Sequence, residues 1–464
     1  MAGESLLDSH REVVLAPPVG VRKLGVTIVL ASMESLLHLG RGLLGIAAFL
    51  ALALVFSSNR KAVPWRLVLV GMILQVIFGI LVLHVDTVRI GVDSFAGFFV
   101  KILDFNSAGA EFLFGSLITN KETFGYLFAF NVLPTIIFFS ALTSLLFYLG
   151  ILQRVVFAFA WVLSKTMNLS GAESLSASAN IFLGQTEAPL LIKPYLATMT
   201  RSELMAVMVG GFATIAGAVM VAYIGMLGGD DPARRLLFAK HLLTASVMSA
   251  PAGLLTAKII QPQTEEVNRN LLVPREKIGA NALEAIANGT TDGLRLAVNV
   301  GAMLLVFTAL IAFVNWILSA SLGSWTGLND WIAASTGGRY ADLSLQYISG
   351  ILFAPLAWLM GIDFGQLTVA GQIIGEKTVL NEFYAYGTLQ KLISSGAMPD
   401  VRAQIILTYA LCGFSNIASV GIQIGGIGAL APNQRSTLAQ IGVRALIGGS
   451  IACFLTACVA SMLT

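Results

Sequence analysis

Continuous apolar runs of about twenty residues, the length at which one helix crosses a bilayer, recur so often in this chain that they leave little choice of fold. Eight of them occupy residues 36–57, 67–85, 128–152, 204–227, 236–255, 296–318, 405–430 and 441–463. Only 11% of the residues are charged and the mean hydropathy is +0.82, whereas a soluble domain carries roughly a quarter charged residues. The chain therefore reads as an all-α polytopic membrane protein. A transmembrane barrel would show segments of about ten residues with alternating polarity instead. Three cysteines, an odd number in or beside apolar runs, and four scattered histidines support neither a disulfide framework nor a metal cluster. A net charge of +3 gives no reason to expect nucleic acid as a partner.

Basic residues lie between the runs. Arg60, Lys61 and Arg66 follow the first, Lys258, Arg269, Arg275 and Lys277 follow the fifth, and Arg435 and Arg444 flank the start of the eighth. These ends are expected on the cytoplasmic side, although Arg234 and Arg235 fall on the opposite side and weigh against it. Three further regions are apolar but interrupted. Residues 90–117, with Asp93, Lys101, Asp104 and Glu111, suit a helix lying at the interface. Residues 169–195 and 343–386 are broken by Gly, Pro and polar residues and suit re-entrant hairpins, a form tolerated where backbone is buried in protein or lines a cavity.

Each hairpin region carries an acid, Glu187 and Glu382 respectively. A carboxylate at membrane depth costs several kcal/mol unless it faces protein, water or a ligand, so both are site candidates. Asn180, Gln185 and Thr186 accompany Glu187. Together they exceed what a hairpin cap needs, though a tip that only satisfies its own backbone is the simpler alternative. Asn381, Phe414, Asn416 and Ser419 accompany Glu382; a carboxylate, an amide and a hydroxyl can together accept from and donate to a vicinal diol. Thr214 and Phe414 also have plain readings, as a helix back-bonding threonine and a core aromatic. The glycines at 421, 425, 426 and 428 are not a phosphate loop, since no strand precedes them and no lysine follows; close helix packing explains them better.

The two halves repeat one order: an interrupted acidic hairpin, then a span with Gly-Phe. Gly211-Phe-Ala-Thr-Ile-Ala-Gly-Ala-Val219 aligns without gaps on Gly413-Phe-Ser-Asn-Ile-Ala-Ser-Val-Gly421, matching at Gly, Phe, Ile and Ala. Paired interrupted segments at corresponding positions of two halves are the sequence mark of a transporter's binding site near the bilayer midplane. An intramembrane hydrolase would need a nucleophile with a base at matching depth, and a channel would need a continuous polar lining. Neither pattern is evident.

Gly184-Gln-Thr-Glu187, Asn381-Glu-Phe-Tyr-Ala-Tyr386 and Cys412-Gly-Phe-Ser-Asn-Ile-Ala-Ser419 closely resemble the signature segments of the concentrative nucleoside transporters. The resemblance extends from Ser57-Ser-Asn-Arg-Lys61 through Phe114-Gly-Ser-Leu117 to the last span and leaves out an N-terminal extension, residues 1–35. It implies a homotrimer of protomers with eight transmembrane helices, two re-entrant helical hairpins and an interfacial helix, in which an inverted-repeat transport domain moves like an elevator against a separate scaffold domain. Mapped here, residues 36–152 would form scaffold helices and the interfacial helix, and 153–260 the first hairpin and following spans. Residues 261–320 would form a connector and scaffold helix, and 321–464 the second hairpin and its spans.

The resemblance further implies that Gln185, Thr186, Glu187, Val219 and Phe414 contact the nucleobase, and that Glu382, Asn416 and Ser419 hold the ribose. A sodium ion would lie on Asn180, Thr214 and the carbonyls of Leu183 and Ile215. The implied activity is sodium-coupled import of a nucleoside such as uridine or adenosine across a bacterial inner membrane, with lipid as surroundings and no organic cofactor. A proton-coupled nucleoside or nucleobase carrier of the same fold is the alternative; the family's proton-coupled members lack the full sodium set, whereas Asn180 and a hydroxyl at 214 are both present. One departure stands beside the ribose carboxylate: Tyr384 replaces the family's valine.

Overall fold

The computed structural model describes residues 19–124, 127–271 and 279–464, with side chains from residue 36 onward except Lys121. Residues 1–18 of the N-terminal extension, and Arg275 and Lys277 in the connector, lie outside the described residues. Every regular element among the described residues is helical. The part of residues 1–35 that is described runs without interruption into the first span as α1 (Val19–Val55), and α2 is Trp65–His84. α3 (Asp86–Phe114) is amphipathic: Ala96, Phe99, Ile102, Leu103, Asn106 and Ala110 are buried on one face while Lys101, Asp104 and Glu111 are exposed. That distribution fits the expected interfacial helix.

After α4 (Leu133–Tyr148) the chain turns at Gly150, whose positive φ of 74° favours glycine, into α5 (Ile151–Met167). The sequence reading had not separated this helix from the span before it. The first hairpin begins with α6 (Gly171–Ala179), passes an irregular tip, and returns through short turns over Ala188–Ile192 and Lys193–Leu196. The expected fourth span is two half-helices, α7 (Arg201–Ala213) and α8 (Gly217–Gly228), with Thr214 extended between them. α9 (Pro232–Ile260) and α10 (Ala282–Leu318) complete this part.

The second half repeats the order. α11 (Leu345–Leu359) packs against α12 (Leu367–Val379), and α13 (Glu382–Ser394) follows immediately. The hairpin expected over 343–386 is therefore shifted: its irregular tip is Leu380-Asn381, and α11 takes the place that α5 has in the first half. The expected span 405–430 is likewise two half-helices, α14 (Val401–Leu411) and α15 (Ile417–Leu430), and α16 (Arg435–Leu463) ends the chain.

Burial divides these helices into two groups. In the membrane-length windows of Arg201–Gly228 and Pro232–Ile260, 94% of residues are buried, against 22% for α1, α2 and Phe128–Tyr148 and 11% for the stretch containing α10. The first broken span, α9 and α6 thus sit in the protein core, whereas α15 is buried along one face only, and apolar side chains of α10 such as Leu305, Phe313 and Trp316 face outward. Polar backbone at the breaks is tolerated because the surrounding helices exclude lipid from it.

Glycine explains how the two breaks approach each other. A Cβ on Gly413 would lie 2.5 Å from the Phe212 carbonyl oxygen and 2.6 Å from Cys453 Sγ, and one on Gly211 would lie 2.8 Å from Gln423 Nε2. The backbones touch directly, the Phe414 N–H donating to the Thr214 carbonyl at 3.2 Å. The glycine run on α15 is a correction to the packing expectation. Only Gly426 and Gly428 approach neighbours, Thr186 and Arg435; a Cβ on Gly421 or Gly425 would meet nothing within 4 Å, so helix packing does not account for those two.

Candidate functional site

The base of the first hairpin is fixed before its tip is reached. Ser170 and Glu173 form a reciprocal capping box at the start of α6, Thr200 and Glu203 another at the start of α7. The buried Lys258 ammonium joins both ends through Glu173 and Ser202. With its base held by a paired charge, the hairpin carries its irregular tip, residues 180–187, into the middle of the bundle.

At the tip, Asn180 is 1% exposed and neither its Oδ1 nor its Nδ2 has a hydrogen-bond partner. A buried amide left wholly unpaired costs about 1–3 kcal/mol, so its retention points to a ligand. The Thr214 hydroxyl donates to the Gly210 carbonyl at 2.8 Å. This is the back-bonding expected of a helical threonine, and it spends the hydroxyl's only proton, leaving its oxygen able to face a cation. Leu183 and Ile215 flank these two residues, one in the tip and one in the break, both buried.

Gln185 turns to α15. Its Nε2 donates to Ser419 Oγ at 3.1 Å and its Oε1 accepts from Gln423 Nε2 at 3.0 Å. Thr186 is exposed and faces Gly426 of the same helix. Glu187 differs. Its Oε2 accepts the Gly184 N–H at 2.9 Å, so it caps its own tip, and it lines a cavity of about 250 Å³ with Ser140, Thr143, Ser144 and Asp292. Val219 is buried at the start of α8, and Phe414 is half-buried in the break between α14 and α15.

The second tip meets the same place from the other side. Glu382 is 3% exposed; its Oε1 accepts from the Tyr223 hydroxyl at 3.1 Å and its Oε2 from Asn416 Nδ2 at 3.0 Å. Asn416 caps α15, its Oδ1 accepting the Ser419 N–H at 2.9 Å. Gln185, Ser419, Asn416 and Glu382 therefore form one continuous hydrogen-bonded chain from the first tip to the second. Glu187 stands outside it.

Three residues of this region escaped the sequence reading. Tyr223 on α8 stacks on Tyr386 with centroids 4.2 Å apart and bonds Glu382; nothing separates it by sequence from a core tyrosine. Gln423, fully buried on α15, lies one turn beyond Ser419. That four-residue spacing of two polar residues in an apolar helix was a usable signal. Lys377, 1% exposed, donates to the Ala410 carbonyl at 2.8 Å, at the open end of α14. A buried lysine at membrane depth was as anomalous as either acid.

Chemically, the arrangement offers a buried amide, an exposed hydroxyl and a half-buried acid at one tip and a buried acceptor–donor cluster at the other. Beside them lies an unpaired amide at a half-helix end, and half-helix C-termini and unwound carbonyls suit cations.

The chain matches the family model for the Na+ dependent nucleoside transporter N-terminus over residues 44–117 and for its C-terminus over 241–461. A nucleoside-recognition gate model matches over 129–230. It is 42% identical to an uncharacterized transporter of Haemophilus influenzae, covering 90% of this chain and 96% of that one. Nucleoside permease NupC of Helicobacter pylori is 40% identical, with the same two coverages. Solute carrier family 28 member 3 of Homo sapiens is 39% identical over 90% of this chain, which spans 59% of that protein's length. Among solved structures, CNTnw in an inward-facing substrate-bound state superposes with a TM-score of 0.82 at 38% identity, covering 91% of this chain and 98% of that one.

Proposed function

This chain belongs to the concentrative nucleoside transporter family, and from that premise we propose that it is a sodium–nucleoside symporter importing nucleosides across a bacterial inner membrane. The observation that carries the reading is the buried hydrogen-bonded chain Gln185–Ser419–Asn416–Glu382, which joins two hairpin tips across two backbone breaks. Glu382, Asn416 and Ser419 hold the ribose hydroxyls, the carboxylate accepting and the amide and hydroxyl donating. Gln185 and Thr186 face the nucleobase, with Phe414 and Val219 as its apolar surroundings. Glu187 is the third polar residue of the base end, although the cavity it lines with Asp292 includes none of those four residues. Here its role is weaker than the resemblance implies, because its carboxylate already caps Gly184.

Sodium takes the first break. Asn180 supplies an unpaired amide oxygen, Thr214 a hydroxyl oxygen with its proton spent, and Leu183 and Ile215 their carbonyls, an all-oxygen set that suits a hard cation. One positive charge moving inward gains about 2.3 kcal/mol per 100 mV, or roughly forty-fold accumulation from the voltage alone. The hairpins and broken spans form the moving domain, and it travels as an elevator past α1, α2, α4 and α10. The outward apolar face of α10 supports the homotrimeric scaffold. Radiolabelled uridine and adenosine uptake into proteoliposomes tests the reading; no saturable uptake of either under any imposed gradient would refute it.

A further inference from the structure

We propose that Gln423 is a positioning residue that fixes which groups of the sugar site donate and which accept, an inference that rests on the nucleoside reading above. The argument begins at a group that cannot change its polarity. The Met208 carbonyl can only accept, and Gln423 lies 3.2 Å from it through the amide end assigned as Nε2. The same nitrogen lies 3.0 Å from Gln185 Oε1. Turning the Gln423 amide over would set its oxygen against the Met208 oxygen, so the nitrogen faces both partners, and its two N–H groups serve two oxygens.

From there each polarity is forced. Gln185 presents Oε1 to Gln423, so its Nε2 donates to Ser419 Oγ. Ser419 Oγ then accepts, and its own proton remains unspent. The Ser419 N–H holds Asn416 Oδ1, so Asn416 Nδ2 points to Glu382 with one N–H used and one left. The sugar end is thereby set as a hydroxyl donor at Ser419, an amide donor at Asn416 and an acceptor at Glu382. That pattern suits a ribose diol, whose hydroxyls donate to the carboxylate and accept from the other two. It disfavours a deoxy sugar, which leaves a buried donor unpaired.

Without Gln423 nothing holds Gln185 in this orientation. With its amide reversed, Gln185 would draw the Ser419 proton to its own oxygen and remove the donor from the site. Gly211 belongs to the same device, since a side chain there would occupy the space of the Gln423 amide and of Gln185 Cβ, 2.8 and 3.0 Å from an added Cβ.

The test is uptake of uridine, 2′-deoxyuridine and 3′-deoxyuridine into proteoliposomes by the wild type, Ser419→Ala, Gln423→Met and the double variant. Ser419→Ala should lower uridine uptake efficiency roughly tenfold and spare one deoxy analogue, which identifies the hydroxyl that Ser419 serves. Gln423→Met should reproduce that pattern, and should lower uridine uptake no further when added to Ser419→Ala. Equal losses for all three substrates, or losses that add in the double variant, would overturn the proposal, because simple destabilisation behaves in that way. If Gln423→Met does not fold, Gln423→Glu keeps the side chain's shape and asks the same question: in either protonation state it has fewer than two donors. Wild type that takes up no nucleoside would refute the functional reading and this inference with it; wild type that takes up uridine while Gln423→Met keeps its full discrimination would refute this inference alone.

Discussion

The two backbone breaks are built from matching sequence and finished in opposite ways. Thr214 and Asn416 occupy equivalent places after Gly-Phe, in extended backbone between two half-helices. At the first break Thr214 bonds back into its own helix and the neighbouring Asn180 amide has no partner. At the second, Asn416 reaches across to Glu382, and the open end of α14 is already occupied by the Lys377 ammonium on the Ala410 carbonyl. In the proposed reading the first break serves the cation, while the second, with the Lys377 ammonium already on its Ala410 carbonyl, devotes its polar groups to the neutral solute. A few side chains give one repeated framework two different hydrogen-bonding patterns.

The largest effect is expected where the second break depends on one charge. Glu382→Gln keeps the shape but removes the carboxylate that accepts from Tyr223 and Asn416 and, in the proposed reading, from the sugar. Hydrogen bonds to charged groups are each worth about 1.5–3 kcal/mol, so uridine uptake should fall about a hundredfold; near-normal uptake would take Glu382 out of the site. Asn180→Ala probes the other break. It should raise the sodium concentration for half-maximal uptake roughly tenfold, as one ligand worth about 1.4 kcal/mol predicts, with the rate recovered at saturating sodium. An unmoved sodium curve would erase the contrast between the breaks. The smallest effect belongs to Tyr223→Phe, which leaves Glu382 with its Asn416 bond. Uridine uptake should drop only a fewfold, because the Tyr223 bond is made with or without substrate and most of its roughly 1.5–3 kcal/mol cancels between the two states, and the sodium curve should not shift. A shifted sodium curve in this variant would show that the two breaks are not separable.

Much of this is legible in the amino-acid sequence. The apolar runs gave the class of fold, and the misplaced acids with their amide and hydroxyl neighbours located both tips, because a polar group in an apolar run is a local anomaly that needs no partner to be noticed. Partnership itself was not legible. Glu187 and Glu382 looked alike in sequence, yet one caps Gly184 and the other anchors a buried network, a difference made by which helices stand opposite. Tyr223 was hidden for the same reason, since only its position against Glu382 distinguishes it from packing. The second hairpin was placed too early because α11 and α12 are both apolar and the turn between them resembles a tip in composition. The glycines of α15 were read as one packing stripe, but a stripe is defined by a neighbouring helix, and only Gly426 and Gly428 have close neighbours.

In the proposed reading the first break binds the ion that drives the solute held at the second. Radiolabelled uridine uptake into proteoliposomes, with sodium and proton gradients imposed separately, tests it most directly. The account predicts uridine accumulation under an inward sodium gradient at equal pH, raised further by an inside-negative potential. Uptake that is indifferent to sodium and collapses with the proton gradient would contradict it.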